Sequence, residues 1–279
     1  MSAIVTASGL VHIYKAGPLE VVALQGLELE VAEGEMLAIV GRSGSGKTTL
    51  MNVLAAADRP NAGSLSVAGY DVLQLSRKQR DRYRRAVIGY AWQQPTLSLT
   101  QEISAVANLQ LPLLMSGRSW AHRREMAERL VELLGLAARR DHLPTQLSSG
   151  EQHRLALGIA MANEPRLLLA DEPTAGLDRA TAESVLRILR RAQIDLGLTV
   201  VTVSHDPVVA QYADRSVQIC DGRISQERRR ADQEVAVIDS AGRLQIPGPL
   251  LDAASLGARA RLRVVDAGLL LEPVDSASD

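Results

Sequence analysis

Residues 36–48, MLAIVGRSGSGKT, constrain this chain more than any other stretch. Met36–Val40 is apolar without alternation, the pattern of a strand covered on both faces. The run stops at Gly41, and glycine returns at Gly44 and Gly46 before Lys47 and Thr48. Glycines at this spacing let backbone N–H groups turn inward onto one anion. Residues 48–57 then read as a helix, whose N-terminus adds its positive end. Lys47 can reach outer phosphates, and the Thr48 hydroxyl suits Mg²⁺. An ordinary glycine-rich turn would account for the glycines, but not for a buried strand before them and a helix after. A strand–loop–helix of this kind belongs to an α/β fold.

At 279 residues, 46% of them apolar, the chain can fill one large domain, or one large and one small. Its net charge of −1 supplies no general basic field for nucleic acid, and none is expected as a partner. The single cysteine, Cys220, excludes an internal disulfide and suits a reducing compartment. No apolar run approaches the ~20 residues of a membrane-spanning helix, and the N-terminus lacks the pattern of a signal peptide. The expectation is a soluble protein, or one held at a membrane by a partner.

Short strands are expected at 4–6, 11–14, 21–31 and 36–40, and strand pattern returns over 64–91 around a turn at Gly69 and a charged helix at 77–85. From about 95 to 162 the pattern is helical, an insert in the α/β core. β–α alternation resumes with strands at 166–170, 198–203 and 216–220 and helices at 178–195 and 207–212. Arg228–Arg230 reads as the start of a linker. The organisation expected is a domain over 1–228, followed over 229–279 by a linker and a small β-rich unit.

Three further segments carry chemistry. In LLLADEPT (167–174) an apolar strand ends in two carboxylates. Asp171 suits a water-mediated contact to Mg²⁺, and Glu172 is placed to polarise an attacking water, the main demand phosphoryl transfer makes on a base. A solvated acidic loop is the plainer alternative. LSSGE (147–151) opens a helix at 152–162, so Ser148 and the Gly150 amide form a second anion-binding turn; a simple helix N-cap would explain Ser148 alone. TVSHD (202–206) sets His205 just beyond a strand.

In this order, GRSGSGKT, LSSGE, LLLADEPT and TVSHD resemble the motif set of ABC-type ATPases over roughly residues 3–228. The resemblance implies a P-loop ATPase core with a β subdomain and a helical insert, ATP and Mg²⁺ as cofactors, and ATP hydrolysis. It implies catalytic roles for Glu172, His205 and Lys47, with His205 contacting the γ-phosphate. Nucleotide binding falls to Tyr14 (stacking on adenine), Gly41, Ser43, Gly44, Gly46, Lys47, Thr48, Thr49, Gln93, Ser148, Gly150 and Asp178. Metal binding falls to Thr48, Gln93 and Asp171. Gln94 competes with Gln93, and strand-edge packing competes for Tyr14. In this family the signature of one subunit caps the nucleotide of another, so a second copy of the chain is an expected partner. Ser149 and Glu151 depart from the common LSGGQ, and the extra side chain at Ser149 is expected to tighten packing or slow turnover.

IYKAGPLEVVALQGLELEV, DRP at 58–60 and HLPTQLS look like the subgroup of macrolide-exporter, lipoprotein-release and cell-division ATPases. That implies a separate transmembrane permease, export or mechanical transmission, and a seat on the cytoplasmic face of the inner or plasma membrane. The apolar stretch 93–115 suits such a contact. A soluble ABC ATPase acting on ribosomes or DNA is the alternative. VIDSAGRLQIP (237–247) and SLGARARLRVV (255–265) resemble the swapped-hairpin barrel of AbrB-like regulators. With Arg243, Arg259, Arg261 and Arg263 against seven acids over 233–279, a dimerising or regulatory role fits better than DNA binding.

Overall fold

The computed structural model describes residues 2–16, 19–229, 235–239, 242–244, 246, 248–256, 260–265 and 268–273. The chain forms two compact units, Met1–Val235 and Ala236–Asp279.

The first unit is built on two sheets. β1 (Ala3–Ala16), β2 (Leu19–Ala32), β4 (Ala62–Val67) and β5 (Tyr70–Asp71) form an antiparallel sheet in the order β2-β1-β4-β5. The runs at 4–6 and 11–14, expected as two strands, are one. Register shifts between Ala7 and Leu10 and between Leu10 and Val11 absorb the interruption as a bulge at Gly9 (φ 61°), so pairing with β2 continues on both sides.

The central sheet carries β3 (Met36–Val40), β6 (Ile88–Ala91), β7 (Leu167–Asp171), β8 (Thr199–Ser204), β9 (Arg215–Cys220) and β10 (Arg223–Arg229), in the order β10-β9-β3-β8-β7-β6. Neighbours from β9 through β6 are parallel, and β10 returns antiparallel to β9. Arg228 and Arg229 pair with Ser216 and Arg215. These two residues, expected to begin a linker, therefore belong to the sheet; Arg230 lies outside the described residues.

Both faces are covered at the middle of this sheet, which is why β3 and β7 read as nearly continuous apolar runs. Met36, Ala38, Leu168, Ala170 and Val200 point into one cluster, with α3 (Ala105–Leu114), α4 (Trp120–Leu133), α5 (Ser149–Met161) and α6 (Arg179–Leu196). Leu37, Ile39, Leu167, Leu169, Val201 and Val203 point the other way, toward α1 (Lys47–Leu54) and the antiparallel sheet. α2 (Arg77–Ala86) starts on a reciprocal cap between Ser76 and Gln79 and buries Tyr83, whose hydroxyl donates to the Leu54 carbonyl at 2.6 Å. The segment 207–212, expected as a helix, is a 3₁₀ turn at Pro207–Gln211.

In the second unit, β12 (Ala260–Val265) and β13 (Gly268–Pro273) pair as an antiparallel hairpin, after α7 (Gly248–Ala253) and an isolated bridge between Ile238 and Leu244. β11 (Val235–Ala236) spans the division between the units. Arg259, counted in the charge of this unit, lies outside the described residues.

Candidate functional site

The glycine-rich loop leaves the end of β3 and turns into α1. Gly46 is the helix N-cap at φ 103°, a conformation that L side chains rarely adopt, and a Cβ there would meet the Ala23 carbonyl oxygen at 2.4 Å. No side chain among the described residues caps α1, whose first amides, as in any helix, have no intrahelical acceptor. Lys47 is 7% exposed, and its ammonium donates to the carbonyls of Gly41 (2.7 Å) and Arg42 (3.0 Å), with no ion-pairing carboxylate among the described residues. The buried Ser45 hydroxyl has no hydrogen-bond partner among the described residues. A buried ammonium on neutral partners, beside an uncapped helix start, fits a polyanion such as the phosphates of ATP. Ser43, Gly44 and Thr48 are exposed along this loop, and Thr49 is buried. An open cleft of about 630 Å³ borders it, lined in part by Arg42, Ser43, His205 and Arg228.

The carboxylates stand at the end of β7. Asp171 is 6% exposed and accepts from the Tyr90 hydroxyl at 3.3 Å. Burial raises its pKa above the ordinary carboxylate value; the Glu172 charge adds to this, while the Tyr90 hydrogen bond and Lys47 oppose it. Burial, with the Asp171 charge, likewise holds the Tyr90 phenol well above its usual range. Glu172 sits at φ 47°, with its amide bonded to the Val203 carbonyl of β8. Its Oε2 accepts from the Ser204 hydroxyl (3.1 Å) and the His205 amide (3.3 Å) and lies 3.0 Å from His205 Nδ1. The end of β8 thus delivers a cluster onto one oxygen and turns Glu172 toward it.

Tyr14, on β1, is 40% exposed, and its hydroxyl donates to Asp58 at 3.0 Å. Thr49 and Asn52 of α1 lie against the same hydroxyl, and burial holds the phenol above its ordinary pKa. Gln93 is exposed just beyond β6. Ser148 is the N-cap of α5: its hydroxyl accepts from the Glu151 amide (3.3 Å), and the Glu151 carboxylate accepts from the Ser148 amide (2.8 Å). That backbone bond is the main reason the Glu151 carboxyl is held below its usual range. Glutamate and glutamine serve equally at this third helical position, which gives Glu151 a structural account. Ser149 is exposed in the first turn. Asp178 is the N-cap of α6, held below the ordinary carboxylate range first by the Thr181 hydroxyl (2.6 Å).

The structure therefore brings Lys47, Asp171, Glu172 and His205 to neighbouring strand ends, and sets Gly150 and Asp178 against Thr181 at the starts of α5 and α6. Tyr90, Ser204, Asp58 and Thr181 escaped the sequence reading. Tyr90 was findable as a polar tip inside the apolar run IGYA, whose strand pairs with that of Asp171.

Known proteins resemble this chain over most of its length. Residues 24–175 match the ABC transporter family model. The macrolide export ATP-binding/permease protein MacB of Syntrophobacter fumaroxidans is 44% identical over 216 residues, 77% of this chain and 30% of that protein. The lipoprotein-releasing system ATP-binding protein LolD of Bordetella pertussis is 41% identical over 218 residues, 78% of this chain and 94% of that protein. The chain thus spans about a third of the MacB proteins it matches and nearly all of LolD. Among solved structures, a dimeric post-hydrolysis state of the ATP-binding cassette MJ0796 bound to ADP and Pi superposes with a TM-score of 0.74 at 33% identity, covering 82% of this chain and all of that one. With a family model matched over more than half its length and a LolD relative spanned almost end to end, this chain belongs to the ABC transporter family, as an ATP-binding and ATP-hydrolysing cassette.

Proposed function

We propose that two copies of this chain close head to tail on two Mg–ATP and drive a separate permease from the cytoplasmic face of the inner or plasma membrane, in export or mechanical transmission across the envelope. One observation carries this reading. The chain has two helix starts suited to phosphate, α1 behind Lys47 and α5 behind Ser148, and no hydrogen bond or ion pair among the described residues joins them. A single γ-phosphate uses both only when the second comes from another copy. The dimeric cassette with ADP and Pi supports that arrangement. Ser148 can serve there while capping α5, because a hydroxyl that accepts from Glu151 keeps its own proton to donate.

Within one copy, the loop amides and Lys47 hold the phosphates. All three Glu172 contacts involve Oε2, which leaves Oε1 to orient the attacking water. His205 steadies that carboxylate and faces the terminal phosphate. Tyr14 stacks on adenine, and Asp178 faces the second copy. Thr48, Asp171 and Gln93 hold Mg²⁺, which when bound neutralises charge on the phosphate oxygens. No group of three or more His, Cys, Asp or Glu among the described residues could hold a metal by itself, and a site with one carboxylate, Asp171, completed by neutral side chains and substrate oxygens is of the kind Mg²⁺ uses.

No helix among the described residues is long and apolar enough to cross a membrane. Leu97, Leu111, Leu114 and Met115 are exposed around α3, an apolar surface suited to a permease. The second unit adds a dimerising or regulatory appendage, which raises the effective concentration of two cassettes.

The test is capture of tagged Glu172→Gln protein from detergent-solubilised membranes with Mg–ATP. A multi-span permease in stoichiometric yield supports the reading. Recovery of ribosomal proteins or nucleic acid alone overturns it in favour of a soluble ABC ATPase.

A further inference from the structure

Gly150 lies in the first turn of α5 with a negative, helical φ, so its backbone conformation does not call for glycine. Its surroundings do. A Cβ on Gly150 would lie 2.4 Å from Cγ2 of Thr181, in the first turn of α6. The next atoms, Thr181 Cβ and Oγ1, lie at 3.8 and 3.9 Å, which is ordinary contact. One methyl group thus excludes a side chain here. The same threonine holds Asp178 twice: its amide donates to Oδ1 at 3.1 Å and its hydroxyl to Oδ2 at 2.6 Å.

We infer that Thr181 is a positioning residue that locks the Ser148–Gly150 turn to the Asp178 loop, its methyl fixing the seat of Gly150 and its hydroxyl fixing Asp178. This rests on the proposal that both turns face the second copy in the ATP-bound dimer. It deepens that proposal in two ways. The glycine of the signature turn is already demanded from within its own chain. And the two turns, 28 residues apart in sequence, present themselves as one rigid unit, so displacement of either displaces the other.

The methyl and the hydroxyl can be removed separately. Thr181→Ser deletes the methyl and keeps the donor; Thr181→Val keeps a methyl and deletes the donor. In the full chain, Gly150→Ala is expected to lower Tm by roughly 5 °C through overpacking. In a Glu172→Gln background it is expected to weaken Mg–ATP-driven dimerisation roughly tenfold or more, read by light scattering. Adding Thr181→Ser should recover both readouts to within about threefold in dimerisation and about 2 °C in Tm, because the clashing atom is gone. Thr181→Val should lower kcat at least about threefold with KM for ATP within about twofold, and Thr181→Ser, which keeps the donor to Asp178, should lower kcat less.

A Gly150→Ala/Thr181→Ser protein as impaired as Gly150→Ala would show that something else demands the glycine and would overturn the inference. So would a Thr181→Val protein whose turnover matches that of Thr181→Ser. If the wild-type chain neither hydrolysed ATP nor dimerised on it, the proposed function would fall, yet rescue of Tm would still decide the Gly150–Thr181 contact.

Discussion

Tyr90→Phe removes one oxygen and should expose how the buried carboxylate of Asp171 is held. The Tyr90 hydroxyl donates to Asp171 Oδ2 at 3.3 Å, and Asp171 is 6% exposed. A hydrogen bond to a charged partner contributes about 1.5–3 kcal/mol. This one is long, so the low end applies, about 1.5 kcal/mol, or a Tm loss of roughly 3–6 °C for a domain of this size. The effect has a defined pH sign. Asp171 already has a raised pKa in the folded state, chiefly through burial, so its ionisation costs stability as pH rises from the unfolded carboxylate value through the folded one. Tyrosine lowers that folded pKa, and phenylalanine lets it climb further. The penalty of Tyr90→Phe is therefore complete only above the folded Asp171 pKa and shrinks as pH falls through it. Thermal unfolding of the wild type, Tyr90→Phe, Asp171→Asn and the double variant, each without nucleotide, closes the cycle. At a pH above the Asp171 transition, Asp171→Asn should raise Tm, and Tyr90→Phe should lose most of its effect in that background. A Tyr90→Phe penalty as large in the Asp171→Asn background as in the wild type, or one that does not vary with pH, would refute the electrostatic account.

Glu172→Gln should lower kcat by about 10²–10⁴ while ATP affinity holds, since the amide oxygen can still accept from Ser204 and His205; phosphate release and nucleotide titration check this. Gly46→Ala should destabilise the domain by about 2–5 kcal/mol, combining positive-φ strain with the 2.4 Å approach of the Ala23 carbonyl, and should abolish nucleotide binding in calorimetry. Arg215→Met should cost about 3–5 kcal/mol in urea unfolding. It strands Glu35, whose side chain is 12% exposed and which the guanidinium holds at 2.7 Å while also reaching Glu227 and the Glu30 carbonyl. A smaller loss in Arg215→Met/Glu35→Gln would identify the unpaired carboxylate as the cause.

What the sequence disclosed and what it hid divide along physical lines. The phosphate loop was legible because strand, glycines and helix are contiguous, and the carboxylates because an apolar strand stops at them. β10 was hidden because Arg223–Arg229 is nearly all polar: its inward-facing burial is supplied by Ser225 and by the Arg215–Glu227 pair, which no alternation reports. The turn before it did carry a signal, since Asp221 and Gly222 both have positive φ (47° and 72°), as a two-residue hairpin turn requires. β1 looked like two strands because a bulge interrupts alternation without interrupting pairing. Tyr90 and Thr181 were missed for another reason. Each acts through a residue distant in sequence or on a neighbouring turn, and neither local pattern names that partner.

The hairpin turn at Gly222 has a bearing on how the protein is made. Its amide donates to the Ser45 carbonyl and its carbonyl accepts from the Gln25 amide, both at 3.0 Å, while a Cβ on it would meet the Ala23 oxygen at 2.6 Å. The loop that receives ATP is thus clamped between the second strand and a turn that leaves the ribosome roughly 180 residues later, ~10–35 s at ordinary rates of synthesis. Its final shape is a product of the finished domain. A nascent chain released before residue 222 carries every glycine of the loop and still lacks the wall that holds them, so ATP binding is expected only once the last strands of the sheet have paired.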